Sequence, residues 1–294
     1  MIIVTGGTGF VGKNLQEAMP EAVYDFMFDL CKEEHVKAMF KHDPRRIIHL
    51  AAKVGGIKDN IAHPVAFLED NLLMNTLLLR HAFKYQLHRL TALLSTCIYP
   101  DISDRYPMTE KDLFAGIPPI SNIGYAYSKR CLALQIDAYN KEYGAKYNYI
   151  IPSNLYGPYD VMSGDKQHFV AALLTKIESA KCNGKKVIKL FGSGKPLRQF
   201  TYVRDLAAVI KYVVDNDIIE SFNVATPEIC SVDEIARIAL RACNAEDMEI
   251  IYEEGPDGQF RKDVSSDKML SIIPNFKFTS LYDGIKQTWE MLHK

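Results

Sequence analysis

The sequence predicts an α/β protein: a doubly wound, mostly parallel sheet with a smaller C-terminal mixed α/β substrate lobe. Three observations carry this. Short apolar runs alternate with longer segments of helical periodicity through residue 158, the pattern of a parallel sheet with helices on both faces. A glycine-rich turn, Gly6-Gly-Thr-Gly9-Phe-Val-Gly12, joins the first apolar run to the first helical segment. From Tyr159 onward the texture changes.

Met1–Thr5 is the expected first strand and Lys13–Met19 the helix after the turn. Glycine lets the backbone turn tightly and approach a pyrophosphate, which rests on free amides at the helix N-terminus. The Gly-x-x-Gly-x-x-Gly spacing between strand and helix marks a dinucleotide-binding (Rossmann) unit. Its candidate contacts are Gly6, Gly9, Phe10, Val11 and Gly12. A second strand is expected over Ala22–Phe26, with Asp29 and Leu30 following. An acidic residue about twenty positions beyond the glycines takes the ribose hydroxyl of NAD, and an arginine nearby accommodates the extra phosphate of NADP. Asp25 is a candidate for the first role, and Asp29 and Leu30 for the adenine side. No arginine stands between Met1 and Pro44, where Lys13 and Lys32 are the nearest cations. The residues alone leave cofactor choice open.

Arg46–Leu50 reads as the next buried strand, and Leu50, Ala51 and Ala52 stand where a cofactor lies close. Val54-Gly-Gly-Ile57 continues into a flexible loop, Asn71–Tyr85 reads as a helix, and Leu90–Leu94 as a fourth strand. Ligands of open α/β sheets bind beyond the carboxyl ends of the strands, which puts Ser95 and Cys97 in the right place for chemistry. Tyr125–Tyr143 is expected as a long helix and Tyr147–Pro152 as a strand. Gly164–His168 opens an amphipathic helix, and Val187–Phe191 precedes the loop Gly192–Arg198. Thr201–Asn216 returns to the main sheet as a helix and Phe222–Ala225 as a strand; Ser231–Cys243 begins with a capping box, Ser231 and Glu234. The expected division is a dinucleotide domain over 1–158 with 199–225, and a substrate lobe over 159–198 and 226–294.

On a helix Tyr125 and Lys129 project from the same face. An ammonium beside a phenol, whose ordinary pKa is about 10, brings it nearer ionisation. The Ser95 hydroxyl completes a two-donor cradle for a carbonyl oxygen. Such a trio suits carbonyl reduction, where a hydride reaches carbon and a proton must reach oxygen. The formal net charge of −1 gives nothing to draw nucleic acid or acidic lipid. No apolar run approaches membrane-spanning length. Six cysteines without a Cys-x-x-Cys pair argue against a structural metal and a disulfide framework. A first strand starting at Met1 leaves no stretch for a signal peptide, so a cytoplasmic protein is expected.

With these residues placed, the chain resembles the extended short-chain dehydrogenase/reductases. Within them it is most similar to the GDP-L-fucose synthase family, epimerase/reductases of GDP-4-keto-6-deoxymannose. Six stretches carry the resemblance: Ala51–Ile57, Ser95–Pro100, Tyr125–Lys129, Asn154–Pro158, Gly192–Arg198, and Pro256-Asp-Gly258 with Lys262. It implies that Ser95, Tyr125 and Lys129 reduce the ketone and that Cys97 and His168 are the acid/base pair for C3 and C5. It also implies that Arg198 and Lys262 hold the diphosphate, that Thr96 and Asn154 line the substrate, and that the protein is a homodimer. The cofactor implied is NADP(H). However, Thr8 stands where that family carries an arginine near the NADP phosphate, and the second strand region is shortened, so NAD(H) stays open. Gly164–Gln167 and Phe260–Asp263 depart from the family at the sugar end, leaving hexose and heptose open. The expected role is GDP-sugar C4 reduction, with or without epimerisation, in activated-sugar synthesis for surface glycans. One alternative is an NAD-recycling 4-epimerase or dehydratase; dehydratases place a carboxylate where Cys97-Ile98 stands. The other is a non-catalytic dinucleotide-binding protein, which has no need of the trio.

Overall fold

A computed structural model describes Met1–His293 apart from Phe26, Asp165, Lys166, Pro256 and the side chain of Asp25. The opening apolar run forms β1 (Ile2–Thr5), buried almost throughout as a central parallel strand must be. After the glycine turn come α1 (Phe10–Ala18), β2 (Val23–Asp25), α2 (Glu33–Phe40) and β3 (Arg46–His49). Then follow α3 (Ile57–Ala62), α4 (Pro64–Lys84), β4 (Arg89–Leu93), α5 (Ile123–Tyr143) and β5 (Tyr147–Pro152). The rest of the chain gives β6 (Asn154–Tyr156), α6 (Phe169–Cys182), β7 (Val187–Phe191), β8 (Leu197–Arg198), β9 (Phe200–Tyr202) and α7 (Val203–Asp215). It ends with β10 (Phe222–Val224), β11 (Cys230–Ser231), α8 (Val232–Ala242), β12 (Glu249–Glu253), α9 (Asp267–Ile272) and α10 (Leu281–Leu292).

The main sheet has six strands in the order β10-β5-β4-β3-β1-β2, every pair parallel. This is the doubly wound sheet that the sequence predicts. From β1 the chain runs first to β2 on one side and then to β3 on the other, so the order reverses between β1 and β3. A crevice opens there beyond the carboxyl ends. On one face Val36, Leu78, Leu79, Leu132 and Ile136 pack against Ile47, Ala92 and Ile151. On the other, Leu15, Met19, Leu206 and Val213 cover Val4, Ile48 and Ile150, and Met269 of α9 joins them. A separate core unites Leu174, Ile177, Leu190, Ile235, Leu240 and Ile285 from α6, β7, α8 and α10. The far end of the sheet is tied by charge: the buried guanidinium groups of Arg46 and Arg89 both bind Asp217, just past α7.

Several elements differ from expectation. The stretch read as a flexible loop runs into helix α3, where Asn60 Nδ2 donates to the carbonyls of Gly55 and Gly56 at 3.0 Å each. Helix α4 begins at Pro64 rather than Asn71, because proline needs no N–H partner in a first helical turn. Thr201 and Tyr202 belong to strand β9, paired with β6, and the helix starts only at Val203. Of the expected second strand, Phe26 lies outside the described residues. The same holds for Asp165 and Lys166 of the stretch before α6, and for Pro256 of the motif near Lys262. The capping box at α8 forms as expected, Ser231 Oγ accepting from Glu234 N at 3.2 Å.

Candidate active site

The dinucleotide cradle is steric in origin. Gly6 has φ +73°, and a Cβ there would stand 2.7 Å from the Ala51 amide nitrogen. At Gly12 a Cβ would meet the Gly6 carbonyl oxygen at 2.5 Å. The turn is therefore pressed against both β3's exit and the first turn of α1, leaving amides rather than side chains at the crevice. Phe10 and Val11 open α1, while Leu50, Ala51 and Ala52, all partly exposed, form the facing edge. Beneath them His49 is fully buried, and burial pulls its pKa down to about 3, so the ring is neutral. Its two nitrogens meet Thr5 Oγ1 and Asn75 Oδ1 at 2.9 Å each. The Ala51 amide in turn donates to Thr5 Oγ1 at 3.4 Å. This network supports the cradle from below, and its only trace in the sequence is a histidine in an apolar strand.

At the expected adenosine end, Asp29 Oδ1 accepts from Cys31 N at 3.0 Å and Oδ2 lies 3.8 Å from Lys32 Nζ. Leu30 turns its side chain into the core, which leaves only its backbone for a ligand. Asp25 ends β2 beside Thr5; its side chain lies outside the described residues.

Ser95 follows β4 and caps the short turn Thr96–Ile98. Its Oγ accepts from the Cys97 amide at 3.5 Å and lies 3.2 Å from Cys97 Sγ. Thr96 is buried. Tyr125 stands in the first turn of α5, and Lys129 Nζ lies 5.9 Å from the centre of its ring. That ammonium donates to the Leu93 carbonyl at 2.8 Å, and burial draws its pKa down to about 8. The Tyr125 phenol is pushed above its ordinary range, first by burial and then by the charge of Cys97. This reverses the expected direction, because the lysine faces the ring and the Leu93 carbonyl, and desolvation dominates.

Cys97 is within electrostatic reach of Tyr125, Lys129 and Lys262. Lys262 is drawn down by burial, with Cys97 opposing and Arg198 adding to the effect. Arg198 is pinned by carbonyls: Nη1 donates to Leu197 O at 2.8 Å and to Gln259 O at 2.7 Å. The structure thus brings Ser95, Cys97, Tyr125, Lys129, Lys262 and Arg198 into one neighbourhood. Asn154, partly exposed, sits in β6 opposite Phe200 of β9. His168 stands at the N-cap of α6. Its Nδ1 lies 2.7 Å from Asp160 Oδ1 and its ring centre 6.0 Å from that of Phe10. No hydrogen bond among the described residues joins it to Cys97. Asp160 went unread in the sequence; an aspartate eight residues before a histidine, across a loop, carries no periodic signal. No group of three or more His, Cys, Asp or Glu side chains that could hold a metal occurs among the described residues.

Chemically, the hydroxyls of Ser95 and Tyr125 can donate to an oxygen, and Lys129, Lys262 and Arg198 can present positive charge to an anion. The residues from 2 to 225 match the model of the NAD dependent epimerase/dehydratase family. The GDP-L-fucose synthase of Dictyostelium discoideum is 34% identical, covering 98% of this chain and 93% of that protein. The GDP-L-colitose synthase of Yersinia pseudotuberculosis is 31% identical, covering 98% of this chain and 96% of its own. The crystal structure of a GDP-L-fucose synthetase from Naegleria fowleri bound to NADP superimposes with a TM-score of 0.89 at 32% identity, covering 99% of this chain and 92% of that one. Glycine cradle, Ser/Tyr/Lys trio and full-length likeness agree: the chain belongs to the NAD dependent epimerase/dehydratase family, in the branch that holds the GDP-L-fucose synthases.

Proposed function

We propose that this protein reduces the C4 ketone of a GDP-4-keto-6-deoxy sugar, after inverting C3 and C5. The observation that carries it is the Ser95, Tyr125 and Lys129 group at the exit of β4, beside a glycine turn packed too closely for a Cβ at Gly6 or Gly12. A bound nicotinamide dinucleotide supplies the hydride. The protein's part is to hold the ketone oxygen between the Ser95 and Tyr125 hydroxyls. As carbon gains the hydride, the carbonyl π pair moves to oxygen and takes the Tyr125 proton. Lys129 keeps positive charge beside the phenolate left behind. Arg198 and Lys262 hold the diphosphate, while Thr96 and Asn154 line the sugar.

NADP(H) is the cofactor favoured by likeness to the NADP-bound Naegleria protein. Thr8 in place of the expected arginine favours NAD(H) as the second reading. The lobe of residues 159–198 and 226–294, built on the second core apart from α9, which packs on the main sheet, is assigned to the sugar nucleotide. A homodimer is supported by apolar side chains left exposed on the neighbouring helices α4 and α5: Val65, Leu73, Tyr127 and Leu134. No described helix is long and apolar enough to cross a membrane, and we place the enzyme in the cytoplasm. The test is Tyr125→Phe. NADPH or NADH oxidation with GDP-4-keto-6-deoxymannose should fall by about 10² or more, with dinucleotide binding, followed by fluorescence titration, nearly unchanged. Retained turnover removes Tyr125 from its role. A wild type that binds dinucleotide but oxidises it with no 4-keto sugar supports the non-catalytic reading instead.

A further inference from the structure

Asp160 is an unusual place for a carboxylate. It follows β6 on the loop toward α6, and its side chain is only 2% exposed. One oxygen, Oδ1, accepts from the Val161 amide at 2.8 Å and faces His168 Nδ1 at 2.7 Å. The other, Oδ2, is buried with no hydrogen-bond partner among the described residues. A carboxylate withdrawn from water is costly unless a cation or strong donors compensate it. His168 supplies a cation when protonated, and its own side chain is 57% exposed. The imidazole thus has a buried edge and an open edge: Nδ1 is committed to the carboxylate, and Nε2 remains for solvent or ligand. The loop is itself anchored to the glycine-turn helix. Asn14 Nδ2 donates to the Pro158 carbonyl at 2.8 Å, and the Tyr159 hydroxyl donates to Glu17 at 2.6 Å.

We propose that Asp160 is a positioning residue for His168: its carboxylate holds Nδ1–H, fixes the tautomer and turns Nε2–H toward the sugar as a proton donor to carbon. This rests on the reading of His168 as one of the pair that inverts C3 and C5. In that step a base removes the proton beside the ketone, and the C–H electron pair passes into the enolate. The enolate returns the pair to carbon to form a new C–H bond on the other face with the proton of Nε2. The imidazolium becomes neutral imidazole, and nothing is oxidised or reduced. Asp160 stabilises the imidazolium before the transfer and keeps the ring from turning over during it. A histidine free to rotate would present either nitrogen.

The test uses Asp160→Asn, which retains the size and an acceptor but removes the charge. The enzyme is incubated in D₂O with its dinucleotide and GDP-4-keto-6-deoxymannose, and deuterium at C3 and C5 is read by mass spectrometry. Entry should fall by about 10²-fold, far more than hydride transfer to a substrate supplied already inverted. Asp160→Glu should recover part of the loss. In ¹⁵N spectra of the wild type, Nδ1 of His168 should carry its proton, and in Asp160→Asn both tautomers should be populated. Equal losses in exchange and hydride transfer, or a wild-type ring protonated at Nε2 alone, overturn the proposal; the latter needs no variant to fold. His168→Gln separates the two layers. If it abolishes exchange while Asp160→Asn does not, Asp160 has no such role but His168 keeps its own. If His168→Gln exchanges at the wild-type rate, the reading of His168 falls and the proposal with it.

Discussion

Lys129 carries its positive charge in a place that disfavours it. Its ammonium is buried against the Leu93 carbonyl and titrates near 8 instead of 10.5. A lysine depressed in the folded state loses its charge as pH rises through the lower value. The kcat/KM for ketone reduction is therefore expected to decline on the alkaline side from about pH 8. Lys129→Arg, whose guanidinium stays charged, should lack that decline even if slower overall. A wild-type profile flat for two units above pH 8 contradicts the assignment. The sign for stability is the opposite. Between about 8 and 10.5 the unfolded chain still holds a proton that the folded chain has released, so the fold gains stability as pH rises through that window. At this scale the trio was legible, since a four-residue helical spacing and a strand exit encode Ser95, Tyr125 and Lys129. The direction of the Tyr125 shift was not, because burial depends on what the rest of the chain packs around the ring. Asp160 was silent for the same reason: its meaning exists only once the loop folds back onto His168.

The glycine turn is constrained atom by atom. A methyl at Gly12 would stand 2.5 Å from the Gly6 carbonyl oxygen and 2.6 Å from that of Gly7, and backbone cannot swing aside as a side chain can. At Gly9 the corresponding distance is 3.3 Å. Gly12→Ala is expected to lower stability by about 1–3 kcal/mol and to abolish dinucleotide binding, with Gly9→Ala milder in both. Thermal unfolding and dinucleotide titration check this, and equal effects at the two positions contradict it. The turn was legible because glycines, strand and helix coincide in order. Helix α3 was hidden, since Val54-Gly-Gly reads as loop and the six residues that follow are too few to show a helical period. The early start of α4 was hidden too: proline signals a break, yet at Pro64 it opens the helix. Thr201 and Tyr202 follow a partner strand, β6, that local pattern cannot reveal.

At the scale of the molecule, alternation of apolar runs was enough to specify six parallel strands, because each must be covered on both faces. The second core was less legible, since its strands pair in twos and its members come from separated stretches. The exposed apolar side chains on α4 and α5 belong here as well. Leu134→Glu places a charge among them and is expected to turn a homodimer into monomers while reduction per chain is largely kept. Light scattering of both proteins decides it, and a monomeric wild type at micromolar concentration removes the dimer. One further effect follows from the way α1 reaches two parts of the chemistry. Its first residue, Phe10, touches the ring of His168, and Asn14 and Glu17 hold the loop that carries Asp160. On the proposed reading, the helix that would receive the pyrophosphate also steadies the acid. Isotope washout from the sugar should lag in dinucleotide-free protein and quicken on loading, a safeguard against scrambling a ketone before a hydride is aboard; equal washout in both states would show that the two halves of the reaction ignore each other.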